Sequence, residues 1–449
     1  MRWFLAIIII GLLVFIHELG HFLIARINGV EVEEFSLGFG PRLISRQIGR
    51  TRYSLKVLPL GGSCLMKGMD YDEEDDEESG ETVSRDDLAG TAAEEGSYRA
   101  ASPGRRAAIL LAGPFFNFLL AFAAAVVVIS AVGFDPARVL TVESGSPAEE
   151  AGLREGDTIT AINGRKVVIG RDVNAFFTFE PLKEGDTLIL QVERDGQTQS
   201  VAFQPENVTV CRMGITYDAG ADAVRVSAVT EGSPLDEAGV RAGDVLTAID
   251  GTPLGTAEEL TAYLDDHPLT ERPVRVTCLR DGEIFEVSVT PIPVTYLDTG
   301  FDYNMGRVKT DAPGVIRYSF YEVKFWIGMT VDSLKMLLTG QASINDLSGP
   351  VGIADIVGTT YEESRSEGVL MTFLSLLNLV ILLSANLGVM NLLPIPGLDG
   401  GKLLFVIIEG VSGRPVNRRF ENTIQLVAAA LLMMLMVYVM YHDVMRLLT

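Results

Sequence analysis

The stretch 3-WFLAIIIIGLLVFIHELGHFLIAR-26 carries no polar side chain from Trp3 to Ile16, and its apolar run resumes from Leu19 to Ala25. As a helix it covers roughly 30 Å of hydrocarbon, which takes about 20 residues. Three further runs resemble it: 107–132, broken only by Asn117 and Ser130, then 368–393 and 424–441. All four exceed ordinary core-helix length, so a multi-pass helical membrane protein is expected rather than a soluble fold with four buried helices. The first run reads as a retained span. His17 and Glu18 stand where a signal-peptide cleavage site would be, and no small-x-small site follows.

Composition narrows the reading further. The chain has 449 residues, 48% of them hydrophobic, which is too apolar for wholesale disorder. It carries 36 Lys+Arg against 59 Asp+Glu, a formal net charge of −23, so no nucleic-acid partner is expected. Three cysteines, Cys64, Cys211 and Cys278, are odd in number and far apart, which excludes a disulfide framework.

Basic residues near membrane segments set orientation. Arg26, Arg42, Arg46, Arg50, Arg52 and Lys56 follow the first run, Arg105 and Arg106 precede the second, and Lys402, Arg414, Arg418 and Arg419 lie between the third and fourth. Those loops are expected in the cytoplasm, with both termini and the segment 134–367 outside the cell membrane. The acidic stretch 70–95 holds 13 acidic residues and one Arg, about half of the whole-chain excess. The region 70–104 reads as an acidic, solvated cytoplasmic loop.

The outer segment contains a repeat. Residues 142–164 (VESGSPAEEAGLREGDTITAING) align without gaps onto 229–251 (VTEGSPLDEAGVRAGDVLTAIDG), with fourteen of the 23 positions identical. Arg194-Asp195-Gly196 recurs as Arg280-Asp281-Gly282. The period is too long for a solenoid unit and fits two copies of one small α+β domain, 136–205 and 222–292. Both copies resemble PDZ domains of the bacterial, circularly permuted type, which implies contact with extended peptides by strand addition. Between the repeats and the third run, Ile316, Phe320, Val323, Ile327, Val331, Leu334 and Leu338 follow helical spacing. An amphipathic helix lying at the membrane surface is expected over 313–341, with a fifth span as the alternative, weakened by Arg317, Lys324, Asp332 and Lys335.

The chemistry is concentrated in 16-IHELGHFLIAR-26. His17 and His21 are four apart, so on a helix they face the same way, one turn apart. That spacing suits two imidazoles gripping one Zn2+ ion, and Glu18 is placed to act as general base on the attacking water. Ionisable residues inside a span are expensive to keep and mark function. His17 lies roughly 21 Å along the helix from Trp3, at 1.5 Å per residue, which puts the metal site inside the membrane toward the cytoplasmic half. A catalytic zinc takes a third protein ligand. His267 and His442 are on the outer side and read as ordinary histidines, whereas Asp399 in 391-NLLPIPGLDGG-401 follows the third run on the cytoplasmic side. Pro394 and Pro396 force the chain out of the helix there, and Gly397, Gly400 and Gly401 permit a tight return. On its own, Asp399 also reads as a turn-forming Asp before Gly.

HELGH near the start, 112-AGPFFN-117, 348-SGPVGIA-354 and the N-x-x-P-x-P-x-x-D string from Asn391 to Asp399 together resemble the site-2 protease family of intramembrane zinc metalloproteases. The repeats between the second and third runs place the resemblance in the bacterial, regulator-of-sigma-E-protease-like branch. The resemblance implies His17, His21 and Asp399 as zinc ligands, Glu18 as general base, and Asn391, Pro394 and Pro396 as residues that help hold substrate. It also implies that 53-YSLKVLPLGGSCL-65 is a membrane-associated β-loop, with Gly61 and Gly62 beside an unwound substrate segment. The implied partners are the lipid bilayer and single-span membrane proteins, such as anti-sigma factors and signal-peptide remnants, in regulated intramembrane proteolysis. The alternative, a membrane-anchored PDZ adaptor with an inactive metal site, is disfavoured by the intact HExxH and LDG strings.

Overall fold

A computed structural model describes residues 2–69, 94–217, 223–304, 306–343, 347–414 and 416–448. The acidic run 72-DEEDDEE-78 lies outside the described residues. The described chain divides into two units. The first comprises Met1–Ala137, Val168–Phe179 and Met305–Thr449, and the second Arg138–Val167 and Glu180–Asn304.

Four helices of the first unit are long and apolar enough to cross a membrane: Arg2–Ile27, Pro103–Val132, Val369–Leu392 and the 27 residues Phe420–Arg446 within the helix Arg418–Leu448. The first three pack together through small and branched side chains. Ala6, Ile9 and Leu13 of the first span meet Ala121, Ala124, Ala125 and Val128 of the second and Val380, Ile381 and Ala385 of the third. Two glycines allow the closest approaches. A Cβ on Gly20 would sit 2.4 Å from the Ala112 carbonyl oxygen, and one on Gly388 2.6 Å from the Phe118 ring. The fourth span is different, because most of its side chains are exposed, and among its described residues only Val439 and Asp443 are buried. Asp443 accepts backbone N–H bonds from Gly349 (2.9 Å) and Gly352 (2.8 Å) at the start of the helix Pro350–Ser364.

After the first span the chain forms two strands, β1 (Val32–Ile48) and β2 (Thr51–Met66). They pair antiparallel, and the register doubles back: Phe35 faces both Tyr53 and Cys64, and Ser36 faces both Ser54 and Ser63. The bend in β2 thus lays the segment around Gly62–Met66 along the open side of β1.

The helix Ala312–Thr339 begins one residue before the expected start and ends two before the expected end. Its course differs from a helix lying across the membrane surface. Tyr318 stacks on Phe134, beyond the Val132 end of the second span, at 3.6 Å between ring centroids. Thr330 bonds Asn386, near the Leu392 end of the third. The helix therefore runs alongside the spans. The reason is chemical: its buried polar groups find partners inward, while Ile316, Phe320, Val331 and Leu338 of the apolar stripe are exposed. Glu322 receives Arg171 Nη2 (2.5 Å) and Trp326 Nε1 (3.1 Å), and Asp135 pairs with Arg171 at 3.2 Å.

In the second unit the two repeats form two sheets. The first is ordered β16-β3-β4-β6-β7, with β5 beside β4, where β3 is Arg138–Val142, β4 Thr158–Ile162, β5 Arg165–Lys166, β6 Leu188–Arg194, β7 Gln197–Phe203 and β16 Phe301–Asn304. The second is ordered β14-β13-β11-β10-β9, with β12 (Thr252–Pro253) beside β11. Here β9 is Ile215–Tyr217, β10 Val224–Val229, β11 Val245–Ile249, β13 Val274–Arg280 and β14 Glu283–Val289. A two-stranded ribbon of β8 (Glu206–Arg212) and β15 (Ile292–Asp298) joins them. Because β16 pairs with β3, the second copy is inserted within the first, and each sheet has a strand outside 136–205 or 222–292. The repeated residues repeat their roles. Ser146 and Ser233 each accept an N–H at the head of a short helix. Asp157 pairs with Arg194 at 2.6 Å as Asp244 pairs with Arg280 at 2.7 Å.

Candidate metal centre

His17 and His21 are buried on one face of the first span. Their Nε2 atoms lie 3.2 Å apart. Asp399 Oδ2 lies 3.0 Å from His17 Nε2 and 3.1 Å from His21 Nε2. Among the described residues this is the group of His, Cys, Asp and Glu whose donor atoms converge as metal ligands do. The separations suit a tetrahedral zinc, whose ligand atoms at about 2.0–2.2 Å from the metal stand a little over 3 Å from one another.

Local structure explains why these atoms meet. Asp399 opens the helix Asp399–Ser412, where the positive end of the helix dipole favours a carboxylate. The turn before it is compact because Gly400 and Gly401 have no side chains. A Cβ on Gly400 would stand 2.3 Å from the Leu393 carbonyl oxygen, and one on Gly401 2.3 Å from that of Ile395. The second span supplies the remaining space. A Cβ on Gly113 would fall 2.3 Å from His21 Nε2 and 2.7 Å from His17 Cε1, so the glycine of 112-AGPFFN-117 leaves the imidazole edges clear. His21 Nδ1 lies 2.8 Å from the Ile109 carbonyl oxygen. A carbonyl only accepts, so Nδ1 carries the hydrogen and Nε2 keeps its lone pair for a metal. The donor set and its tautomer therefore fit zinc.

Glu18 is half-buried beside the cluster, and Gly62 of β2 reaches it: a Cβ there would be 3.0 Å from Glu18 Cγ. Gly61 precedes it with φ +143°, in the region that favours glycine. Of the expected substrate-binding residues, Asn391 turns its amide back onto the Leu387 carbonyl (3.0 Å), Pro394 is exposed and Pro396 half-buried. His267 bonds within its own helix, to the Tyr263 carbonyl, and stands apart from the cluster. The roles of Gly113 and Ile109 were not visible in sequence; Gly-Pro inside an apolar helix was the available signal, since it marks an irregular or close-packed turn.

Two histidines and an aspartate gathered on apolar helices, with a glutamate one residue after the first histidine, are a donor set of the kind a metallopeptidase uses. A family model for peptidase family M50 matches residues 5–435, and the chain belongs to that family. It is similar to a putative zinc metalloprotease of Treponema pallidum, 29% identical over 98% of both chains. It is also similar to the regulator of sigma-W protease RasP of Bacillus subtilis, 29% identical over 98% of this chain and 97% of that one. The regulator of sigma E protease of Salmonella typhi is 30% identical over 99% of both. The protein is a zinc metalloprotease of the membrane, and its cofactor is Zn2+. A solved PDZ domain of HtrA3, bound to a phage-derived ligand, aligns with 20% of the chain at 21% identity and a TM-score of 0.18.

Proposed function

We propose that this protein cuts the membrane-spanning segments of single-span proteins inside the bilayer, with His17, His21 and Asp399 holding zinc and Glu18 as general base. The convergence of three donor atoms on the first span carries this reading. Bound zinc supplies a Lewis acid that polarises the scissile carbonyl and acidifies water. Glu18 takes a proton from the attacking water and passes it to the leaving amine. A spanning helix hides its peptide bonds in internal hydrogen bonds, so the substrate must unwind before cleavage. The segment around Gly61 and Gly62 lies against Glu18, where β2 backbone can pair with an unwound strand. Asn391, Pro394 and Pro396 help hold the substrate near the metal in this account.

The site faces the cytoplasmic half of the membrane and the repeats lie outside the cell, following the basic loops. Those repeats act as PDZ-like modules that admit substrates whose outer domain has already been trimmed. Anti-sigma factors and signal-peptide remnants fit this substrate class, in keeping with the names of the sigma-regulating relatives. The test is cleavage of a single-span substrate by the purified, zinc-loaded protein, with Glu18→Gln in parallel. Equal cleavage by both, or none by the parent on any trimmed single-span substrate, would sink the proposal.

A further inference from the structure

We infer that Asn117 is a positioning residue for the metal, whose carboxamide holds the His17 imidazole in the tautomer that leaves Nε2 free for zinc. The inference rests on the assignment of His17 as a ligand. Asn117 is fully buried in the middle of the second span, where an amide is kept only for a reason. Its Nδ2 stands 3.2 Å from His17 Nδ1, while its Oδ1 is buried without a partner. The backbone beneath is fixed, because Ser384 Oγ donates to the Asn117 carbonyl at 2.8 Å.

The two ends of a carboxamide have the same shape, and which of them is oxygen follows from the contacts it must serve. Either orientation puts one end against His17 Nδ1. The imidazole breaks the tie. A neutral histidine has one N–H and one lone pair. His17 Nε2 points at His21 Nε2 and Asp399 Oδ2, so its lone pair belongs to the metal. Nδ1 then carries the hydrogen and requires an acceptor, which is Oδ1 of Asn117 in the turned amide. His21 is held by the same logic through Ile109. Residues 109 and 117 lie about two turns apart on the second span, so one helix orients both imidazoles of another.

Outer partners of ligating histidines affect metal affinity by about 10- to 100-fold. Asn117→Leu keeps the volume and removes the acceptor, whereas Asn117→Asp offers an acceptor in either orientation. Chelator competition on the full-length protein in detergent reads zinc affinity directly, and melting of the metal-stripped forms reports any change in the fold itself. The expected result is zinc affinity down by about 10- to 100-fold in Asn117→Leu, recovery in Asn117→Asp, and the same stripped melting temperature for both and the parent. Parent-like affinity in Asn117→Leu overturns the inference, as does Asn117→Asp binding as weakly as Asn117→Leu. If Asn117→Leu fails to fold, Asn117→Asp decides alone: parent-like or tighter binding supports the role, and a tenfold loss overturns it. His17→Ala is measured alongside. Unchanged zinc binding in that variant would remove the ligand assignment itself, a different failure from that of Asn117.

Discussion

His17, Glu18 and His21 were legible because their relation is local: four residues make one helical turn, and one string states the chemistry. Changing Glu18 to Gln preserves size and helix but removes the proton acceptor. Zinc should stay bound while cleavage falls by at least about a hundredfold, the typical general-base contribution; a metal assay and a cleavage assay on one preparation check both. Asp399→Asn should differ by weakening zinc retention as well. Asp399 could be singled out only as a carboxylate after a span, because the nearer of its two partners, His21, lies 378 residues away along the chain. Gly113 was legible as part of a motif but not as a clearance, since nothing local says what its missing Cβ would strike. Gly113→Ala should therefore cost about 1–3 kcal/mol through overpacking and should also displace the imidazoles, seen as a fall in zinc affinity. A variant that binds zinc like the parent would contradict the crowding.

At the scale of elements, the four apolar helices followed from length and composition alone. The helix Ala312–Thr339 shows where that reasoning stops. Its apolar spacing was visible, but of that stripe Val323 is buried, and the polar Ser319, Glu322 and Thr330, which carried no signal in sequence, are buried beside it. Only knowledge of Arg171 and Asn386 across the fold turns the helix inward. The repeats were plain from their identity, yet the insertion of one copy within the other depends on β16, a four-residue strand with no repeat signature. The paired ions Asp157–Arg194 and Asp244–Arg280 give this level its own prediction. Burial alone would push the Asp157 carboxyl up, but Arg194 and the Arg154 backbone hold it below its ordinary value. Arg280 does the same for Asp244. A depressed folded pKa gives stability that is complete above the unfolded value near 4 and is lost as pH falls through the folded value. Arg194→Ala should accordingly destabilise the second unit at pH 7 by about 1–3 kcal/mol, because Asp157 loses its partner while the half-buried Arg194 side is screened by solvent. That penalty should shrink toward pH 3, as urea unfolding of parent and variant at both pH values will show. A penalty independent of pH would argue against the pair.

Across the whole molecule, every residue assigned to the metal or to proton transfer lies in the first unit, and the second unit contributes none. Removing 138–167 and 180–304 while keeping 168–179, which carries Arg171, should therefore spare zinc binding and chemistry while loosening substrate choice, so that membrane proteins with intact outer domains are cut. Recruitment through the repeats would instead give weaker cleavage of trimmed substrates and no gain on intact ones. Assaying both substrate forms with full-length and deleted enzyme separates the two, once zinc retention by the deleted form is established. The central claim remains the metal set itself, and zinc-edge X-ray absorption on the zinc-loaded, full-length protein tests it most directly. The account predicts two imidazole nitrogens at about 2.0–2.1 Å and carboxylate oxygen at about 2.0–2.2 Å, with the oxygen shell altered in Asp399→Ala. A sulfur scatterer at about 2.3 Å, or a shell unchanged in Asp399→Ala, would contradict it.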